Sequence, residues 1–120
     1  GKLAETQAKI DELSIKQRFL AEKIRAEVTA IGIEVETANQ LVDTTERERT
    51  LAERLASAER RRFELGSSDF FLVNQREESA TNAAVKLIEA RARIAAARAE
   101  LAAATADEDA LGLNPAPTLP

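Results

Sequence analysis

Residues 62–71 read Arg-Phe-Glu-Leu-Gly-Ser-Ser-Asp-Phe-Phe, and they interrupt a chain that otherwise has the composition of long helices. Gly66 is the residue type expected just past a helix end, because glycine adopts positive φ without a steric penalty. Ser67 or Ser68 can cap the following helix, and Asp69 is favourable at its positively polarised N-terminus. A reversal of about three residues joins antiparallel neighbours. This stretch therefore predicts an αα-hairpin.

The composition on both sides of the turn favours helix. The chain has 120 residues, of which 44% are hydrophobic but only 3% aromatic, so Ala, Leu, Ile and Val must supply the buried surface. Between residues 2 and 107 there is no proline, and the only glycines are Gly32 and Gly66. We predict an all-α fold, a long antiparallel hairpin over residues 1–113, with helices at about 3–65 and 69–107 and a tip at 66–68.

The first arm carries two apolar stripes. One follows the steps of three, four or seven that are typical of a left-handed helix pair, and at about 1.5 Å per residue this arm would be on the order of 95 Å long. Its members are Ile10, Leu13, Leu20, Ile24, Val28, Ile31, Val35, Ala38 and Val42. A second, weaker stripe contains Ile15, Phe19, Ala26, Ala30, Ile33 and Leu41. Two stripes indicate two neighbouring helices.

The second arm becomes rich in alanine in residues 90–105, where helix axes can approach closely. Around the turn, six apolar residues crowd one end of a thin hairpin, which suggests a partner or a larger bundle there. They are Phe63, Leu65, Phe70, Phe71, Leu72 and Val73. The charged run Glu59-Arg-Arg-Arg62 is interpreted as a solvated helix end. Residues 114–120 contain three prolines and predict an extended tail.

Several function classes lack the residues they need. The chain has no His and no Cys, so the usual zinc ligands, thiol nucleophiles and His-based acid–base catalysis are excluded, and we expect neither an enzyme nor a cofactor. A net charge of -4 argues against nucleic acid as a partner. No run of about 18 apolar residues predicts a membrane span. The start is neither an initiator Met nor a signal peptide, as expected for a piece of a longer protein or for a mature chain.

Residues 62–77, followed by an Ala-rich helix and Ala110-Leu-Gly112, resemble the C-terminal periplasmic hairpin of the TolC family of outer-membrane efflux proteins. The family pattern there is an aromatic residue, a Gly, a small hydroxyl residue, an apolar pair, and a helix that ends in an Ala-Leu-Gly-like motif. Residues 24–28, Ile-Arg-Ala-Glu-Val, also look similar to a segment of the family's long helix. The resemblance covers residues 3–113.

The resemblance implies a fold and a location. Such proteins are trimers, and each protomer contributes two hairpin repeats to a periplasmic α-barrel below a β-barrel in the outer membrane of Gram-negative bacteria. They form the exit duct of tripartite efflux pumps and type I secretion systems, together with a periplasmic adaptor protein and an inner-membrane transporter. This chain would be one repeat, with its membrane attachment through segments outside it.

The resemblance also implies site residues. By this comparison the tip that docks the adaptor comprises Leu65, Gly66, Ser67, Ser68, Asp69 and Phe70. Well-known members line the closed aperture with aspartates at the sixth and ninth positions after the glycine. This chain departs from that pattern, because those positions hold Leu72 and Gln75. A polar lining from Asn74, Gln75 and Glu78 is the expectation instead.

Two other classes of protein fit parts of the pattern. A periplasmic adaptor, or membrane-fusion protein, also presents a long hairpin, although its flanking lipoyl-like β segments are absent here and the first arm is much longer than the second. A coiled-coil scaffold that spaces or dimerises domains would have the same composition. Concentration-dependent unfolding from a dimer would favour the scaffold.

Overall fold

A computed structural model describes residues 1–113 of this chain as two α-helices packed as a hairpin. Helix α1 is Lys2–Glu64 and helix α2 is Phe70–Ala110. This arrangement confirms the all-α hairpin that the sequence predicted. Helix α2 extends three residues beyond the predicted end at Asp107. The predicted proline-rich tail at 114–120 lies outside the described residues.

The end of α2 is set by Gly112 and not by the acidic residues before it. Gly112 has a φ of 69°, and its N–H donates to the carbonyl of Asp109 at 3.0 Å. The N–H of Leu113 donates to the carbonyl of Glu108 at 3.1 Å. These two bonds are the Schellman arrangement, which satisfies carbonyls that the last turn of a helix leaves without partners. The helix therefore continues until a residue that tolerates positive φ.

The helices form two compact units, and the first comprises Val35–Ala97. In this unit each helix buries one stripe at alternating steps of three and four residues, the spacing of a coiled-coil seam. On α1 the fully buried positions are Ala38, Thr45, Ala56 and Glu59. On α2 they are Val73, Ala83, Leu87, Ala90, Ile94 and Ala97. From Ala83 to Ala97 every second buried seam position of α2 is alanine, so the seam alternates small and large side chains.

Two interhelical ion pairs show that the register of this unit is constant. Arg60 Nε lies 3.0 Å from Glu77 Oε1, and Arg91 Nη2 lies 3.5 Å from Glu46 Oε1. Glu46 is fourteen residues before Arg60, and Arg91 is fourteen residues after Glu77. Equal steps of two heptads on both helices keep the same faces opposed from one pair to the other.

The second unit contains Gly1–Glu34 and the chain from Arg98 onward. Here α1 half-buries Ala21, Ile24, Val28 and Ile31, again at steps of three and four. On α2, Leu101 and Ala104 are half-buried, and Glu108 is buried. Every residue from 1 to 20 is exposed. The α1 seam is therefore covered only from Ala21 onward within the described residues.

This coverage corrects part of the predicted seam. Six of its nine residues are buried or half-buried: Ile24, Val28, Ile31, Val35, Ala38 and Val42. Ile10, Leu13 and Leu20 are exposed instead, because they precede the part of α1 that packs on another helix. The members of the second stripe, from Ile15 to Leu41, are all exposed too. The apolar pattern shows where helix neighbours could pack, and this chain alone occupies only some of those places.

Candidate docking site at the hairpin tip

The turn is built around Gly66, which has a φ of 81°. Its N–H donates to the Phe63 carbonyl at 3.0 Å, and the N–H of Ser67 donates to the Arg62 carbonyl at 2.8 Å. This is a Schellman end like the one at Gly112, with glycine at the left-handed position. An added Cβ at Gly66 would meet no atom within 4 Å. The requirement for glycine is therefore one of backbone conformation and not of space.

Asp69 is the residue that caps α2. Its Oδ1 accepts a hydrogen bond from the Leu72 N–H at 2.8 Å, which is the contact that an N-cap side chain makes with the third helical residue. The prediction that Ser67 or Ser68 would cap α2 is therefore wrong. Ser68 Oγ is buried without a hydrogen-bond partner. The helix begins at Phe70, one residue later than predicted, because the cap residue itself stands outside the helix.

The apolar residues of the turn divide into an inward and an outward group. Val73 is buried and Leu72 is half-buried. Leu65 is 73% exposed and Phe71 is 72% exposed. Phe63 and Phe70 are also exposed and contact one another, with ring centroids 6.3 Å apart and ring planes at 56°. Tilted aromatic pairs of this kind are attractive beyond their buried area. The tip thus presents an apolar surface that the hairpin leaves uncovered.

Charged side chains lie directly behind that surface. Glu59 occupies a seam position of α1 and is buried, and its Oε2 lies 3.4 Å from Arg62 Nη1. Arg62 Nη2 donates to the Ser67 carbonyl at 3.4 Å, which ties the turn back to α1. Arg60 pairs with Glu77 across the two helices. The charged run is thus more than the solvated helix end that the sequence indicated, because it includes a buried carboxylate and an interhelical bridge.

The three residues expected to line an aperture lie on one side of α2. Asn74, Gln75 and Glu78 are all exposed. Asn74 and Glu78 are four residues apart, and Gln75 and Glu78 are three apart, so they share about a third of the helix circumference. The structure thus brings these polar groups together on a surface that α1 does not cover.

A second heptad pattern runs along α2 on the side away from its seam. Its members recur at alternating steps of three and four residues and are all exposed. The apolar members are Val85, Ile88, Ala92, Ala95, Ala99, Ala102 and Ala106, and towards the tip the same spacing continues through the polar Thr81, Glu78 and Asn74 to Phe71. The alanines are evident in the sequence, but this pattern was not predicted from it, because alanine periodicity is easily attributed to helix propensity. The signal that reveals it is the spacing of three and four residues that joins Val85 and Ile88 to Ala92 and Ala95, although alanine also occupies other faces of this helix.

Within the described residues, no cluster of acidic side chains could hold a metal ion. Neither of the two helices has a segment long and apolar enough to cross a membrane. Comparisons with protein-family models, with curated proteins and with solved structures found no match. Function is therefore inferred from the geometry of the chain and from the resemblance of its turn.

Proposed function

We propose that this hairpin is a wall segment of a periplasmic duct in a trimeric outer-membrane channel of the TolC type. In this role the hairpin serves tripartite efflux or type I secretion, and its tip docks a periplasmic adaptor protein. The observation that carries the proposal is the exposed second heptad pattern on α2, opposite the seam with α1. A helix with two packing faces needs two neighbours, and a closed cylinder of helices supplies both.

The tip supports the docking part of the proposal. Leu65, Phe70 and Phe71 are exposed at the only reversal in the described chain, and they are held by two capping arrangements that fix the backbone. Interface centres are enriched in aromatic side chains that exclude water. A turn with a fixed backbone and exposed apolar side chains is suited to contact the tip of another helical hairpin.

The proposed mechanism is passive conduction. The hairpin forms part of the duct wall, and an inner-membrane partner supplies the energy for transport. Opening would require the hairpin to slide or untwist against its neighbours. Alanine-rich faces interlock less than leucine-rich faces, so the second pattern from Ala92 to Ala106 is the surface where such movement is easiest.

Site-specific photo-cross-linking tests this function. A photo-reactive residue replaces Ser67 in the full-length parent protein, which is expressed in its own host, and captured partners are identified by mass spectrometry. The matched control places the same residue at Thr50, which is exposed on α1 about 24 Å before the turn. We expect Ser67 to capture the hairpin tip of a periplasmic adaptor, and Thr50 not to do so. Capture only of copies of the protein, or of a protein from outside the envelope, would favour the coiled-coil scaffold.

A further inference from the structure

The N-terminal segment of α1, residues 2–20, carries an apolar row that continues the seam. Leu20 is four residues before Ile24, which is half-buried in the seam, and Leu13 and Ile10 precede Ile24 by eleven and fourteen residues. Leu3 lies one further heptad back. Residues at these intervals share a helix face. All four are exposed, from 46% for Leu20 to 88% for Leu3. We call this row the unpaired seam.

A row of lysines borders the unpaired seam. Lys2, Lys9, Lys16 and Lys23 recur at strict seven-residue intervals, and Lys86 is the only other lysine in the chain. Lys16 lies three residues after Leu13 and four before Leu20, so it flanks both. All four lysines are exposed. In helix pairs, residues at such flanking positions select the partner through its charge.

Ion pairs within α1 engage only one of the four lysines in the described chain. In the described chain only Lys16 among the four makes an ion pair, with Glu12 at 3.1 Å, and both side chains are well exposed. Exposed pairs of this kind contribute little and are screened by salt. Glu5 and Glu27 lie within three or four residues of Lys2, Lys9 and Lys23, yet no ion pair forms there in the described chain. The charges of these three lysines are therefore available to a partner.

A second copy of the chain offers the lysine row no opposite charge. An antiparallel arrangement that places Leu3 opposite Leu20 and Ile10 opposite Leu13 would also bring Lys9 towards Lys16 of the other copy. The two lysine rows would then face each other, and like charges at flanking positions disfavour pairing. A parallel arrangement would set the lysines beside Gln7, Ser14 and Ala21, which carry no charge. Charge complementarity requires an acidic row instead.

We propose that residues 2–20 dock an amphipathic helix whose apolar stripe is bordered by Glu or Asp at seven-residue intervals. The leucine and isoleucine side chains of the unpaired seam bury the partner's stripe, and the lysine row selects its charge. This surface lies in the unit that begins at Gly1, and its use does not depend on docking at the hairpin tip.

Three synthetic helices of about 21 residues test the proposal. They share one leucine stripe and differ only at the flanking positions, which are all Glu, all Gln or all Lys. Each is labelled and titrated with the 120-residue chain, and binding is followed by fluorescence anisotropy. We expect the Glu helix to bind about tenfold more tightly than the Gln helix, and the Lys helix most weakly, because several exposed ion pairs each add a small amount. The preference should shrink in 1 M salt, where the Debye length falls to about 3 Å.

Charge reversal provides the decisive variant. Lys2→Glu, Lys9→Glu, Lys16→Glu and Lys23→Glu together should invert the preference, so that the Lys helix binds best. The matched control reverses Arg47, Arg54 and Arg61, which have the same spacing in the other unit but border no unpaired seam, and it should leave the preference unchanged. Leu13→Ser with Leu20→Ser should abolish binding of all three helices. Circular dichroism checks that each variant remains helical.

Three results would overturn the proposal. Equal affinity for the Glu and Lys helices would remove the role of the lysines. Binding that survives the two serine substitutions would show adhesion by charge alone. Sedimentation equilibrium that finds a dimer of the 120-residue chain, lost on Leu13→Ser with Leu20→Ser, would assign the surface to a second copy.

Discussion

Gly66 and Gly32 are two glycines with opposite structural requirements. Gly66 stands in the left-handed region with a φ of 81°, whereas Gly32 is inside α1 and has no positive φ. An added Cβ meets nothing within 4 Å at either position. The effect of alanine at each site therefore depends on the backbone alone, which makes the two substitutions a matched pair.

We predict that Gly66→Ala lowers the free energy of unfolding by about 1–2 kcal/mol, because a non-glycine residue in the left-handed region costs that much. Gly32→Ala should instead raise it by about 0.5–1 kcal/mol, because alanine loses less conformational entropy in a helix. Urea denaturation followed by circular dichroism measures both values. A Gly66→Ala variant as stable as the parent would mean that the turn adopts another conformation.

The next prediction compares the N-cap residue of α2, Asp69, with its neighbour Ser68. Asp69→Ala should lower the free energy of unfolding by about 1 kcal/mol, because the Leu72 N–H loses its hydrogen-bond acceptor. Ser68→Ala should be neutral or slightly stabilising, because it removes a buried hydroxyl that has no hydrogen-bond partner. Thermal unfolding of the two variants shows which of them is less stable. If Ser68→Ala were the more damaging change, the serine would be the functional cap.

Between the two helices, the seam of Val35–Ala97 depends on alanine at every second buried seam position of α2 from Ala83 to Ala97. Ala90 is 2% exposed and lies between Leu87 and Ile94 along the seam. Ala95 has the same residue type on the same helix but lies on the exposed second pattern. Comparing the two alanines isolates the contribution of close packing from that of helix propensity.

We predict that Ala90→Leu destabilises the chain by about 1–3 kcal/mol, because added methylene groups in a packed seam force displacement of the neighbours. Ala95→Leu in the isolated chain should change the free energy of unfolding by no more than about 0.5 kcal/mol. Chemical denaturation of both variants under identical conditions provides the comparison. Similar losses at both positions would contradict the seam described above.

The sequence predicted the two helices well, because heptad spacing and the absence of proline are local properties. It also predicted the glycine turn, because positive φ is a requirement of a single residue. It wrongly placed Leu13 and Leu20 in the packed seam, because periodicity indicates that a helix face is apolar but not whether a second helix covers it. It assigned the cap to the wrong residue, because Ser67, Ser68 and Asp69 are all good caps and only the geometry of the turn selects Asp69.

At the scale of the whole molecule, α1 and α2 both expose apolar faces that this chain does not cover. Ile33 and Leu51 on α1 and Ile88 on α2 are more than half exposed. Scattered apolar residues on a surface are ordinary, but rows at heptad spacing are typical of helices with further neighbours. These exposed rows are the observation on which the duct-wall proposal depends.

The full-length parent protein offers the last test, in which Ala95→Leu and Ala102→Leu act on assembly and not on the fold of the hairpin. Both alanines belong to the exposed second pattern of α2. If that pattern packs on a neighbouring helix, leucine there forces the two helices apart, and a well-packed contact tolerates such overpacking poorly. If the chain is a duct-wall segment of a longer protein, we expect the isolated chain to keep its helical spectrum and stability while that longer protein loses its oligomer in detergent and its transport activity. The Arg47→Ala variant, on the same chain but outside the pattern, should keep both. Unchanged oligomer and transport in the leucine variants would show that close packing on this face is unimportant, and the duct-wall proposal would lose the observation that carries it.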